Sequence, residues 1–132
     1  MTTPADELTT AAAKLRTLAE AASTDPDGTP TAHWNSEDQG HGHSQLWGDY
    51  LTRDDGRTIS WPTLIRGGSM HRQAYMHTQH ADYAAVMGPA VGLALAKWLD
   101  SWHGTDFDEH AAMPDDLAHA LAIARAINRS QP

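Results

Sequence analysis

Apolar residues recur at helical spacing at both ends of the chain and alternate with polar ones in its middle. In residues 4–23, PADELTTAAAKLRTLAEAAS, Leu8, Ala11 or Ala12, Leu15, Leu18 and Ala22 make one thin apolar stripe, which predicts an amphipathic helix. Thr3 can cap this helix, and Pro4 suits its first position. Asp6 and Glu7 fall in the first turn, where the helix dipole favours negative charge. Residues 24–44 keep no period. STDPDGTP, residues 23–30, predicts a loop by its Pro, Gly and Asp content, and the stretch that follows stays polar apart from Trp34.

Residues 45–62 change the pattern. Leu46 to Thr52 and Arg57 to Trp61 flank Asp54-Asp55-Gly56, a tight-turn signal between two β-favouring runs, and together they predict a hairpin. Trp47, Tyr50, Ile59 and Trp61 supply its aromatic and β-branched weight, and Pro62 ends the second strand or marks an edge. Residues 70–103 read as a helix beginning at about Met70 or Thr78, a Gly88-Pro89 break and a second helix with Val91, Leu95, Trp98, Leu99 and Trp102 on one face. Pro114 opens a final helix over 114–128, edged by Leu117, Leu121, Ala124 and Ile127 or Asn128, and the tail RSQP is expected to fray. This order of elements predicts an α+β fold, with three to four helices packed on a short antiparallel hairpin within one domain over 1–132. A sheet this small leaves an edge strand, and homodimerisation is one way to cover it.

Composition narrows the functions open to the chain. The 132 residues are 40% hydrophobic with five Trp, too apolar for intrinsic disorder throughout. No apolar run approaches the roughly 18 residues of a membrane span, and MTTPADELTT has no signal-peptide pattern, so no membrane association and a cytoplasmic location are expected. The absence of cysteine removes disulfides, thiolate zinc sites and cysteine nucleophiles. A net charge of −8 argues against direct nucleic-acid binding and favours a basic partner or simple solubility.

The nine histidines carry the sharpest chemical question. Without cysteine, a zinc-type site needs three or four His or carboxylate ligands. His77 and His80 are three apart and neighbours on a helix face, while His41 and His43 share a side only if their segment is extended. A divalent-metal site would therefore draw on His41, His43, His77 and His80; the bland alternative is a set of surface histidines, with no cofactor at all. No nucleophile elbow, phosphate-binding loop or dinucleotide fingerprint occurs, so no catalytic residue is assigned. Asp100, Asp106, Asp108, Glu109, Asp115 and Asp116 form an acidic run that lacks the ligand register of a calcium loop. Trp98 and Trp102, four apart on a helix, are expected in the core. Trp47, Tyr50 and Trp61 are the candidate anchors of a protein-binding patch.

The stretch HADYAAVMGPAVGLALAKWLDSW, followed by LAHALAIARAIN, resembles small uncharacterised proteins encoded by Streptomyces, other actinobacteria and their phages. Those proteins open on a helix like ELTTAAAKLRTLA and pass through a Trp-containing variable middle. The shorter YAAVMGPAVGLALAKWLD is similar to a helix-Pro-helix element of Ead/Ea22-like phage accessory proteins. The resemblance implies an accessory protein of phage or mobile-element origin and brings no catalytic residues with it. Three functional expectations follow. The first is a non-enzymatic accessory module that binds a protein or itself. The second is a His/carboxylate metal protein, hydrolytic or not. The third is an acidic decoy for a DNA-binding protein.

Overall fold

A computed structural model of the chain describes residues 2–69, 72–105, 107–108 and 110–129. The fold is α+β, with four helices and a four-stranded antiparallel sheet. Two compact units divide it, Met1–Ala19 with Gly92–Pro132 and Glu20–Val91.

The first unit is helical, formed by α1 (Pro4–Ala22), α3 (Pro89–Asp100) and α4 (Asp115–Arg129) where they run within it. Thr3 and Asp6 cap α1 reciprocally. The Asp6 N–H donates to Thr3 Oγ1 at 3.1 Å, and the Thr3 N–H donates to Asp6 Oδ2 at 3.2 Å. Thr3→Ala is therefore expected to cost about 1 kcal/mol, the usual value of a lost cap, measured by urea denaturation.

Leu8, Leu99, Leu117 and Leu121 form the core with Ala11, Ala12, Ala120 and Ala124, all buried. Trp102, Phe107, Met113, Ile123 and Ile127 pack around it, partly buried. Alanines at the contact positions let the helix backbones approach closely. At Gly92 a Cβ would stand 3.1 Å from the Ala19 Cβ, so the same small-residue seam runs on there. Polar ties close the unit. Arg125 grips the Glu7 carboxylate with two donors at 3.2 and 3.1 Å, and Asn128 Nδ2 donates to the Glu7 carbonyl at 3.0 Å.

Two expectations about helix faces need correction. Leu18 is exposed, because α1 turns Ala19 rather than Leu18 toward the seam. Trp98 is exposed as well. It meets Trp102 edge to face at 4.9 Å, and only Trp102 reaches the core cluster.

The second unit holds the sheet. β1 (Asn35–Gly40), β2 (His43–Thr52) and β3 (Thr58–Thr63) pair in that order. β4 (Gly68–Ser69) pairs with β5 (Arg72–Gln73) apart from them, and β6 (Met76–His77) adds to β2 beside His43 and Ser44. The hairpin expected over 45–62 is β2–β3, running from His43 to Thr63 around the Asp54-Asp55-Gly56 turn.

The expected loop over 24–44 is corrected. It contains β1 and the first residues of β2, joined by a turn with Gly40, His41 and Gly42 all at positive φ. Of the two expected starts of the next helix, Met70 and Thr78, the structure takes Thr78. Helix α2 (Thr78–Val86) starts only after β6, because His77 and Met76 are engaged as strand partners of β2. Met70, His71, Asp106, Glu109 and the tail after Arg129 lie outside the described residues. In the turn before β1, the Thr29 N–H donated to Asp27 at 3.0 Å, helped by the Thr29 hydroxyl, holds the exposed Asp27 carboxyl below the ordinary aspartate value.

Candidate functional site

The register of the hairpin decides where its aromatics stand. Trp47 pairs with Thr63, Asp49 with Trp61, Tyr50 with Ser60 and Leu51 with Ile59, without a bulge. Directly opposed residues share a face, and successive residues alternate. Trp47, Asp49, Leu51, Ile59 and Trp61 therefore lie on one face, and Tyr50 lies on the other. The three candidate anchors do not form one patch. Trp47 and Trp61 go together, while Tyr50 joins a different set of residues.

Tyr50 stands at an apolar cleft of about 230 Å³ lined by Ala32, His33, Trp34, Ala85, Val86, Gly88, Ala90 and Val91. Three of its walls face solvent, with Tyr50 56%, Val86 69% and Val91 41% exposed. Tyr83, also exposed, lies one turn before Val86 on α2.

A chain of close contacts fixes the cleft's rear wall. The Trp34 indole N–H donates to the Thr31 carbonyl at 2.7 Å. A Cβ on Gly88 would stand 3.2 Å from Trp34 Cβ and Cγ, so glycine lets the helix break pass against the indole. The buried Thr31 side chain donates from Oγ1 to the Ala22 carbonyl at 2.6 Å and presses on Gly48 of β2. On the same side of the sheet, α2 is tied down by Ser36 Oγ donating to Asp82 Oδ1 at 2.6 Å and by the Ser44–Thr78 hydroxyl pair at 2.9 Å.

On the opposite face Trp61 is 51% and Leu51 47% exposed, with Trp47 and Ile59 half-buried. Asp49 is the one carboxylate among these β2 and β3 positions. Its Oδ1 accepts the Tyr50 N–H at 2.7 Å, and its Oδ2 lies 3.4 Å from Nδ1 of the exposed His33.

Of the four candidate metal ligands, three are neighbours and the fourth, His41, stands apart. His43 and His77 are cross-strand partners with ring centroids 5.4 Å apart, and His77 meets His80 at 6.1 Å. The His43 ring lies nearly parallel to Tyr75 at 5.7 Å, which engages its face in stacking. His41 sits apart at the exposed tip of the β1–β2 turn with φ 58°. Among the described residues, no group of three or more His, Cys, Asp or Glu is placed to hold a metal ion. His43, His77 and His80 pack as aromatic rings beside β2.

Sequence reasoning missed Val86, Val91 and Trp34 as site residues. Val91 reads in the sequence as part of one helix face with Leu95 and Leu99, and the cleft joins residues 32–34, Tyr50 and residues 85–91, which are separated along the chain. The helices carry no span long and apolar enough to cross a membrane among the described residues. Comparison with protein-family models, curated proteins and solved structures returns no match.

Proposed function

We propose that the protein is a non-enzymatic binding module, an accessory protein in line with its phage-like resemblance, that holds a partner protein through the Tyr50 cleft. One observation carries this reading: exposed Tyr50, Val86 and Val91 converge on a single concave apolar surface. Scattered exposed apolar residues are ordinary, but a contiguous set around a cleft marks an interaction site. At about 230 Å³ the cleft is smaller than the roughly 300–1,000 Å³ of small-molecule sites, and suits one apolar side chain of a partner. Tyr50 contributes a rigid ring with a polar tip, the chemistry enriched at interfaces.

The test is photocrosslinking in the cells that make the protein, with benzoylphenylalanine at position 86 and, as a control, at exposed Glu20 on α1. A discrete adduct is expected from position 86 alone, lost when Tyr50→Ser is added. Adducts of equal yield from both positions, or none from 86, would refute the reading. Sedimentation velocity of the purified chain then shows whether the partner is a second copy.

A further inference from the structure

We propose that the other face of the hairpin is a separate site, built from Trp47, Asp49 and Trp61, for a cationic side chain of a basic protein segment, arginine above lysine. Asp49 lies directly across from Trp61 and two residues from Trp47, so one carboxylate shares its face with two indoles. Tryptophan is the strongest cation–π partner among the side chains, and a guanidinium can stack on an indole while donating to a carboxylate. Leu51 and Ile59, paired with each other beside this group, provide apolar surface for the stem of a long cationic side chain.

The occupant follows from charge. The only formal charge at these β2 and β3 positions is negative, and the chain carries −8 overall, which attracts basic segments and repels a second copy. Arg53 and Arg57 at the hairpin turn are offset by Asp54 and Asp55, with Arg57 Nε already 3.9 Å from Asp55 Oδ2. His33 Nδ1 lies at a long 3.4 Å from Asp49 Oδ2 and its side chain is largely exposed, so an incoming guanidinium can displace it. This site and the Tyr50 cleft lie on opposite faces of the hairpin and share His33; it adds the charge of a partner segment.

The test uses the full chain labelled with ¹⁵N and two short Gly/Ser peptides, one with two arginines and one with citrulline in their place. Citrulline keeps the shape and removes the charge. The arginine peptide is expected to shift the Trp61 and Trp47 indole N–H resonances saturably and to bind about tenfold more tightly than the citrulline peptide, the scale of one favourable charged contact. Asp49→Asn and Trp61→Leu are each expected to weaken the arginine peptide by a similar factor. The peptide comparison on the unaltered protein needs no variant to fold. Equal affinity for both peptides, full affinity in Asp49→Asn, or no saturable shift would overturn the proposal. Val91→Ser, in the cleft wall, separates the two sites, because it weakens the position-86 adduct and leaves peptide affinity unchanged.

Discussion

Leu99→Ala is expected to lower the stability of the helical unit by about 2–5 kcal/mol, the range for a leucine truncated in a packed core. Leu99 is fully buried at 0% exposure, and its neighbours in the core are Leu8, Leu117 and Leu121 with four alanines. Alanine has no rotamers with which to refill a void, so four of the seven other buried core residues cannot collapse into the space. That places the loss toward the upper part of the range. Urea denaturation followed by far-UV circular dichroism would measure it. A loss under about 1 kcal/mol would show that Leu99 is not central to the core.

The second large effect is expected at Gly48. An added Cβ would stand 2.7 Å from Thr31 Cγ2, 2.9 Å from Thr31 Cβ and 3.2 Å from Pro62 Cδ. Thr31 cannot yield easily, since it is buried and its hydroxyl is hydrogen-bonded to the Ala22 carbonyl. Gly48→Ala is therefore expected to cost about 3 kcal/mol, combining overpacking with a disturbed buried hydrogen bond. The Thr31 carbonyl also anchors Trp34, so the same change should deform the Tyr50 cleft. Adding Thr31→Ser, which removes Cγ2 and keeps the hydroxyl, should restore part of the stability. Thermal unfolding of the single and double variants measures both. An undiminished loss in the double variant would contradict the clash.

The sequence made the capped helices legible because caps, first-turn acids and periodic apolar positions are local signals. Thr3, Asp6 and Pro4 announced α1 directly, and Pro114 with Asp115 and Asp116 announced α4. Strand β1 was invisible for a physical reason. NSEDQG is an exposed edge with no apolar alternation, and it holds its place by pairing with β2. The Gly40-His41-Gly42 turn was the one available clue, since it permits positive φ where the chain reverses.

The splitting of the aromatic anchors was implicit in their numbers. Positions 47 and 50 differ by an odd step and must face opposite ways on a regular strand, while a turn centred on residues 54 to 56 sets Trp61 across from Asp49. The Tyr50 cleft was beyond reach, because Trp34, Tyr50, Val86 and Val91 meet only through tertiary packing. Helix faces built from alanine were misread at Leu18 and Trp98, since size and hydrophobicity do not say which residue the neighbouring backbone leaves room for.

The alanine seam of Ala11, Ala12, Ala120 and Ala124, extended by Ala19 against Gly92, has an evolutionary consequence. Each of these sites has a ceiling on volume rather than a demand for a particular chemistry. Glycine or serine can pass through them by drift, whereas valine, leucine or any ring is purged. Divergent descendants would retain a spaced signature of tiny residues long after the larger, better-known core positions had exchanged leucine for methionine or isoleucine.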